Sequence, residues 1–349
     1  MRLGVSMGYV LAGGAGDQVT VVREAERLGY SVAWVAEAYG SDAVSVVSWL
    51  AASTERIDVG SAVLQIPART PAMTAMTAAT LDLLSRGRFR LGLGVSGPQV
   101  SEGWHGVRFG KPLTRTREYV DIVRQALARE TVRHDGEFFT LPLPDGPGKA
   151  LKLSLRPQRD QLPVYLAAVG PKNVELAGEI ADGWLALFFS PEHADAAFAS
   201  VRAGLERSGR EDRSFDVAAT VPVSIGDDLA ACAEPIRGYA ALYVGGMGSR
   251  EQNFYNELAR RMGFEAEAAE VQDLYLDRRH REAMAAVPLD FIDQTSLIGP
   301  PARIQDRLHA FADAGVTTVN VTSLATDVEG RVRDLRQVAA ALDAAGLAD

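Results

Sequence analysis

Cysteine is almost missing from this chain: Cys232 is the single one in 349 residues, so no internal disulfide framework can form. No cluster of Cys or His at ligand spacing accompanies it, which argues against a structural zinc. The N-terminus lacks a basic leader and a long apolar run. MRLGVSMGYV reads as a short strand, supports neither a signal peptide nor a membrane span, and leaves a cytoplasmic protein as the expectation. Positive charge is in deficit, with 36 Lys and Arg against 45 Asp and Glu, and the formal charge of −9 disfavours nucleic acid as a partner. Also missing are a Ser/His/Asp arrangement in recognisable context, a pair of carboxylates at obvious spacing and a set of metal ligands. What is present is 47% hydrophobic and 23% charged sequence, enough for a large core in one α/β domain or two smaller ones.

Strand and helix patterns alternate along most of the chain. Apolar strand patterns fall at 3–7, 31–37, 57–66, 89–95, 162–168, 183–189, 215–225 and 316–324. Between them lie helical patterns: one capped by Asp17 and stopped by Gly29, then 43–53, a helix opened by Thr70-Pro71 and ending near Leu84, 114–130, 171–180, 191–208 and a closing helix at about 330–345. A hairpin-like polar segment surrounds HDGEFFTLPLPDGPG. Eight such units predict a (β/α)8 TIM barrel over residues 1–349 as one domain, with a helical insertion at about 227–314 between strands seven and eight. The alternative is a doubly wound sheet split into two domains, and no linker rich in Pro, Gly or Ser supports it.

In a barrel the chemistry belongs at the C-terminal ends of the strands. The candidates there are Ser6 and Met7, Glu37, Gln65, Ser96 and Gly97, Gly170, Phe188 and Phe189, Val223 and Thr322. This apolar, glycine-rich set is poor in nucleophiles and points to chemistry borrowed from an organic cofactor. Two motifs stand out. RGRFRLGLGVSGPQVSEGWHG (86–106) runs from a buried strand into a glycine-rich turn and a loop with Trp104 and His105. Its Gly92-x-Gly94-x-x-Gly97 spells the dinucleotide fingerprint, but Gly92 lies inside the strand, Pro98 follows the last glycine, and the next amphipathic helix is expected only near 114. In AAVGPKNVELAGEIADGW (167–184) strand five ends at Gly170 and Pro171 opens a helix, whose free N–H groups suit a phosphate, with Lys172 and Asn173 adding donors.

With those motifs go WVAEAYGSDAVS, IDVGSAVLQIPARTPAMTAMTAATLDLLSRG, GGMG-x-x-x-x-NFY and LIGPPARIQDRLHAFADAGVTTV, and on them nearly the whole chain resembles the luciferase-like superfamily of flavin- and deazaflavin-dependent oxidoreductases. It is most similar to the actinobacterial branch related to methylenetetrahydromethanopterin reductase, which uses coenzyme F420. The resemblance implies a (β/α)8 barrel, a cis peptide at Ala62-Val63 in a bulge of strand three, and a coenzyme ring lying over that bulge for hydride transfer at C5. It places Glu37 at an acidic position that contacts the ring in relatives. Here Ala38 follows where several relatives carry histidine, and Ser96-Gly97-Pro98-Gln99 stands where some have a glutamate donor.

His105 is the substitute candidate for acid/base work. Ser6, Ala62, Val63, Gln65, Val95 and Ser96 are expected to line the ring, and Val169, Gly170, Pro171, Lys172 and Asn173 to hold its phosphate. Trp104 and Phe188 are expected to wall the substrate pocket. Arg69, Lys111, Arg115, Lys172 and Arg250 fall in predicted mouth loops and would meet the carboxylates of the F420 tail. F420 is favoured over FMN. The alternatives are an FMN-dependent monooxygenase using reduced flavin and O2, and a non-catalytic flavin- or deazaflavin-binding protein. GGMG and Asn253-Phe254-Tyr255 read as a turn and anchor within the insertion. Apolar helix faces such as AMTAAT suggest a homodimer.

Overall fold

The computed structural model describes residues 1–8, 15–211 and 213–348. Eight principal strands run parallel: β1 (Arg2–Gly8), β2 (Val32–Val35), β3 (Asp58–Ser61), β4 (Phe89–Gly94), β5 (Val164–Ala167), β6 (Gly183–Leu187), β7 (Asp216–Ile225) and β8 (Thr318–Ser323). Each pairs with the next in chain order, and β8 returns to β1 with Thr318 opposite Arg2. The sheet therefore closes as a (β/α)8 barrel, and a doubly wound sheet, whose edge strands stay open, is excluded.

Local chemistry sets the helices. Thr70 caps Pro71–Leu84 by accepting from the Met73 N–H at 3.2 Å, with Pro71 at the first helical position, and Asp42 caps Ala43–Ser53 in the same way. The first helix begins at Ala15, so Asp17 lies in its first turn rather than at its cap. A six-residue helix, Pro98–Gly103, opens directly behind Gly97, where the sequence pattern had placed loop as far as residue 114. Six residues are too few to show an apolar period.

The strands are buried on both faces. Outward, Phe89, Leu91 and Leu93 join the main core beneath the helices. Inward, Trp34 lies over Gly60 and Tyr165 over Gly183, the two rings meeting edge to face at 5.1 Å. Below them the N-terminal end is closed by an ion pair, Arg90 with Asp58 at 2.7 Å, and a hydrogen bond, Tyr165 donating to Asp216 at 2.9 Å. A cavity of about 690 Å³ lies at that lower end, lined by Arg2, Arg124, Asp182, Arg210 and Asp216 among others. It faces away from the C-terminal loops, where a parallel barrel assembles its chemistry.

Between β7 and β8 the chain forms the helices Leu229–Ala241, Phe254–Arg261, Glu265–Leu276, His280–Ala286, Leu289–Thr295 and Pro301–Asp313, with a short strand, Leu297–Gly299, added beside β7. The first five build a core of their own around Ile236, Val244, Met262, Val271 and Ile292. Ile304, Leu308 and Phe311 of the last join the main core instead, so that helix belongs to the barrel and the inserted helices end before Leu297. No helix of the described residues is long and apolar enough to cross a membrane.

Candidate active site

β3 stops at Ser61 and resumes as Leu64–Gln65, and the peptide between them, Ala62-Val63, is cis. The neighbouring strand is shaped to this bulge. Ser61 Oγ donates to the Gly92 carbonyl at 2.9 Å, and the Gly92 N–H donates back to it at 3.0 Å. A Cβ on Gly92 would stand 1.9 Å from the Ser61 carbonyl oxygen, and one on Gly94 would stand 2.6 Å from the Val63 side chain. Gly92 and Gly94, two of the three glycines that imitate a dinucleotide fingerprint, are there because the bulge presses on β4.

Above the bulge the barrel has a partly exposed floor. Ala62, Val63, Ala167 and Leu187 form its apolar side, while Ser6 and Thr220 form a hydroxyl-bearing side. Beneath the latter, the Thr322 hydroxyl and both amide atoms of Asn320 are buried without a hydrogen-bond partner. Small side chains and orphaned polar atoms fit a flat heteroaromatic ring seated over the bulge.

Gln65 links two other predicted residues, Ser96 and His105. Its side chain, 3% exposed, donates to Ser96 Oγ at 2.6 Å, and its Oε1 faces His105 Nε2 at 2.9 Å. With the amide in this orientation the His105 Nε2–H donates to Gln65 Oε1, which leaves Nδ1 as the ring nitrogen facing other partners. Ser96 takes the left-handed backbone (φ +59°) that lets its hydroxyl meet Gln65. Glu37 lies elsewhere in electrostatic terms: Arg69 grips both its oxygens at 2.7 and 2.9 Å and reaches Asp42 at 2.9 Å. Tyr119 donates to the Arg69 carbonyl at 3.2 Å and shares a 2.5 Å hydrogen bond with Thr74; burial pushes its phenol up to about 12.

At the end of β5, Gly170 precedes the ten-residue helix Pro171–Ile180, with no side chain capping it. A Cβ on Gly170 would meet nothing within 4 Å, so the turn is open. Asn173 donates toward the Ala167 carbonyl at 3.5 Å, and Lys172 pairs with Glu175 at 3.2 Å. Arg261, at the C-terminus of Phe254–Arg261, donates to the Val169 carbonyl at 3.2 Å. Open N–H groups, a helix dipole and an arginine make a donor set for phosphate. Sequence reasoning missed Arg261, because nothing local to the insertion shows that its helix ends over a turn some ninety residues earlier.

Several expectations are corrected. Val95 alternates with Gly94 and Ser96, so its side chain packs outward against the core, away from the ring seat. Phe188 is buried among Tyr239, Tyr243, Tyr255 and Phe291 and anchors the inserted helices instead of lining a pocket. Trp104 is 67% exposed and stands at the rim, not in an enclosing wall. The expected tail-binding cations are engaged elsewhere: Arg69 as described, Lys111 with Glu137, Arg250 with Asp273, and Arg115 stacked 4.4 Å above Phe138. Asn253 is an anchor as expected: it caps Phe254–Arg261 and donates to the Tyr243 and Val244 carbonyls, both at 3.0 Å.

The profile of one family, described as luciferase-like monooxygenase, matches residues 1–318. The chain belongs to the luciferase-like family. Among its relatives in that superfamily is a protein of Mycobacterium tuberculosis provisionally named a coenzyme F420-dependent oxidoreductase, 45% identical over 96% of this chain and 98% of its own. A 5,10-methylenetetrahydromethanopterin reductase of Methanolobus tindarius is 30% identical over 84% of this chain and 86% of its own. The solved F420-dependent tetrahydromethanopterin reductase of Methanopyrus kandleri superposes with a TM-score of 0.81 at 24% identity, covering 97% of this chain and 98% of its own, and shares the luciferase-like barrel.

Proposed function

We propose that this luciferase-like protein is a coenzyme F420-dependent oxidoreductase that exchanges a hydride between the deazaflavin C5 and a small organic substrate. The observation that carries the reading is that the open floor at the β3 bulge and the open, uncapped turn at Gly170 lie at the C-terminal ends of strands of the same barrel, a seat for a ring and a seat for a phosphate at one mouth. The 45% identical relative supports the choice of F420. Bound there, the coenzyme supplies a carbon that gives or takes a hydride.

The chain itself supplies binding, orientation and a proton. The free backbone N–H groups of Gly170 and Lys172 and the Arg261 guanidinium hold the phosphate, the Asn173 N–H being spent on the Gly170 carbonyl, while Ala62, Val63, Ala167 and Ser6 seat the ring. His105 moves a proton to or from the substrate oxygen through Nδ1, with Gln65 and Ser96 fixing the imidazole at its other nitrogen. Glu37, paired with Arg69, holds the loop after β2 in place. The working unit is a homodimer.

Titrating the purified protein with oxidised F420 and, separately, with FMN tests the reading, with the fluorescence of each ring as the signal. Micromolar binding of F420 with FMN excluded is the expected result. Tight binding of FMN alone would transfer the protein to reduced-flavin monooxygenase chemistry, and binding of neither would remove the cofactor assignment.

A further inference from the structure

The rim of the mouth carries a chemical bias. Trp104, at 67%, and Tyr39, at 62%, are the most exposed aromatic side chains among the described residues. Both stand at the mouth: Tyr39 follows β2 and Trp104 follows β4, the two strands that flank β3 and its bulge. Neither ring packs on another aromatic ring among the described residues. Large exposed aromatic surface next to a binding site marks a place where a ligand is expected to lie.

The same loops carry no surplus of positive charge. The segments 36–42, 62–70 and 95–111 contain three cations, Arg69, Arg108 and Lys111, and three carboxylates, Glu37, Asp42 and Glu102. Arg69 is taken by Glu37 and Asp42, Lys111 reaches Glu137 at 2.6 Å, and Arg108 lies 3.8 Å from Glu102. A phosphorylated or carboxylated substrate over the bulge would lose water and find no net counter-charge in these loops.

We infer that the substrate is an uncharged, planar aromatic molecule bearing a carbonyl or alcohol group, held over the β3 bulge between Trp104 and Tyr39. The carbonyl or alcohol is required by the oxidoreductase reading above, on which this inference rests; the aromatic, uncharged body is required by the rim.

Acetophenone serves as the neutral aromatic probe, with acetone and glucose 6-phosphate for comparison, added to the coenzyme-loaded protein while tryptophan emission and saturation-transfer NMR are recorded. Acetophenone is expected to quench the emission saturably and to bind about tenfold more tightly than acetone, as one stacked ring would give. Glucose 6-phosphate should leave the signal unchanged. Trp104→Ala should abolish the quench, and Tyr39→Ala should weaken binding about fivefold or more while Tyr39→Phe restores it. Both residues are exposed, so these variants fold. Tighter binding of glucose 6-phosphate, no binding of acetophenone, or unchanged acetophenone affinity in Trp104→Ala and Tyr39→Ala would overturn the inference. Coenzyme loading is read separately from its own fluorescence, so failure of the F420 reading shows there, and acetophenone binding is then read on the protein alone.

Discussion

At Gly92 there is no room for a methyl group, because the Ser61 carbonyl oxygen would lie 1.9 Å from it and both are backbone. Neither strand can move without breaking the barrel ladder, so Gly92→Ala is expected to destabilise by overpacking, about 1–3 kcal/mol. Differential scanning calorimetry should show a lower Tm for Gly92→Ala and an unchanged one for Gly103→Ala, where an added Cβ meets nothing within 4 Å. An equal effect at both positions would remove the close-approach explanation. His105 is a second test at this scale. If it moves the proton, His105→Asn should lower kcat by about 10²–10⁴ with coenzyme affinity little changed. A rate within twofold of the parent would make His105 a loop anchor.

Among the elements, the hairpin between the helix Pro112–Leu127 and β5 hangs on one carboxylate. Glu118 accepts from the N–H groups of Glu137, Phe138 and Phe139 at 2.8–3.1 Å, and the turn glycine Gly136 packs directly on it. Burial alone would raise the Glu118 pKa, but these donors outweigh it and hold the carboxyl below its ordinary value. The sign follows: its contribution is fully present above the ordinary glutamate pKa and is lost as pH falls through the depressed one. Hydrogen exchange should show amides 137–139 well protected at neutral pH, less protected on acidification, and unprotected at any pH in Glu118→Ala. Protection indifferent to the variant would assign the hairpin's order to other contacts. In sequence Glu118 is merely a polar residue on an amphipathic helix. The periodicity of 43–53 and 171–180 was legible because each helix carries its own cap or proline, whereas the partner of Glu118 lies nineteen to twenty-one residues away across a turn. The reach of Arg261 was hidden for the same reason, its cause being tertiary, whereas the helix Pro98–Gly103 has its own proline and is simply too short to show a period.

For the whole molecule, eight alternating units were enough to read the barrel, since each strand and helix announces itself by its own apolar period. What the pattern could not separate was which inserted helix belongs to the barrel, because Pro301–Asp313 and its predecessors differ only in what they pack against. Burial also leaves a remainder outside. On the helix Pro71–Leu84, Met73, Met76, Leu83 and Leu84 are 43–66% exposed at spacings that place them along one side, and Trp49 of the preceding helix is exposed at 37%. These helices flank the barrel wall rather than its mouth, so the patch serves neither ring nor substrate. A second copy of the chain, meeting the same patch across a twofold axis, would bury it without obstructing either mouth. Light scattering coupled to size exclusion should then give a dimer mass for the parent protein and a monomer mass for Met76→Glu combined with Leu84→Lys. Coenzyme binding should survive in that variant, because the bulge and the phosphate turn are built within one chain. A monomeric parent, or a variant that stays dimeric, would show that this face is not where the copies meet.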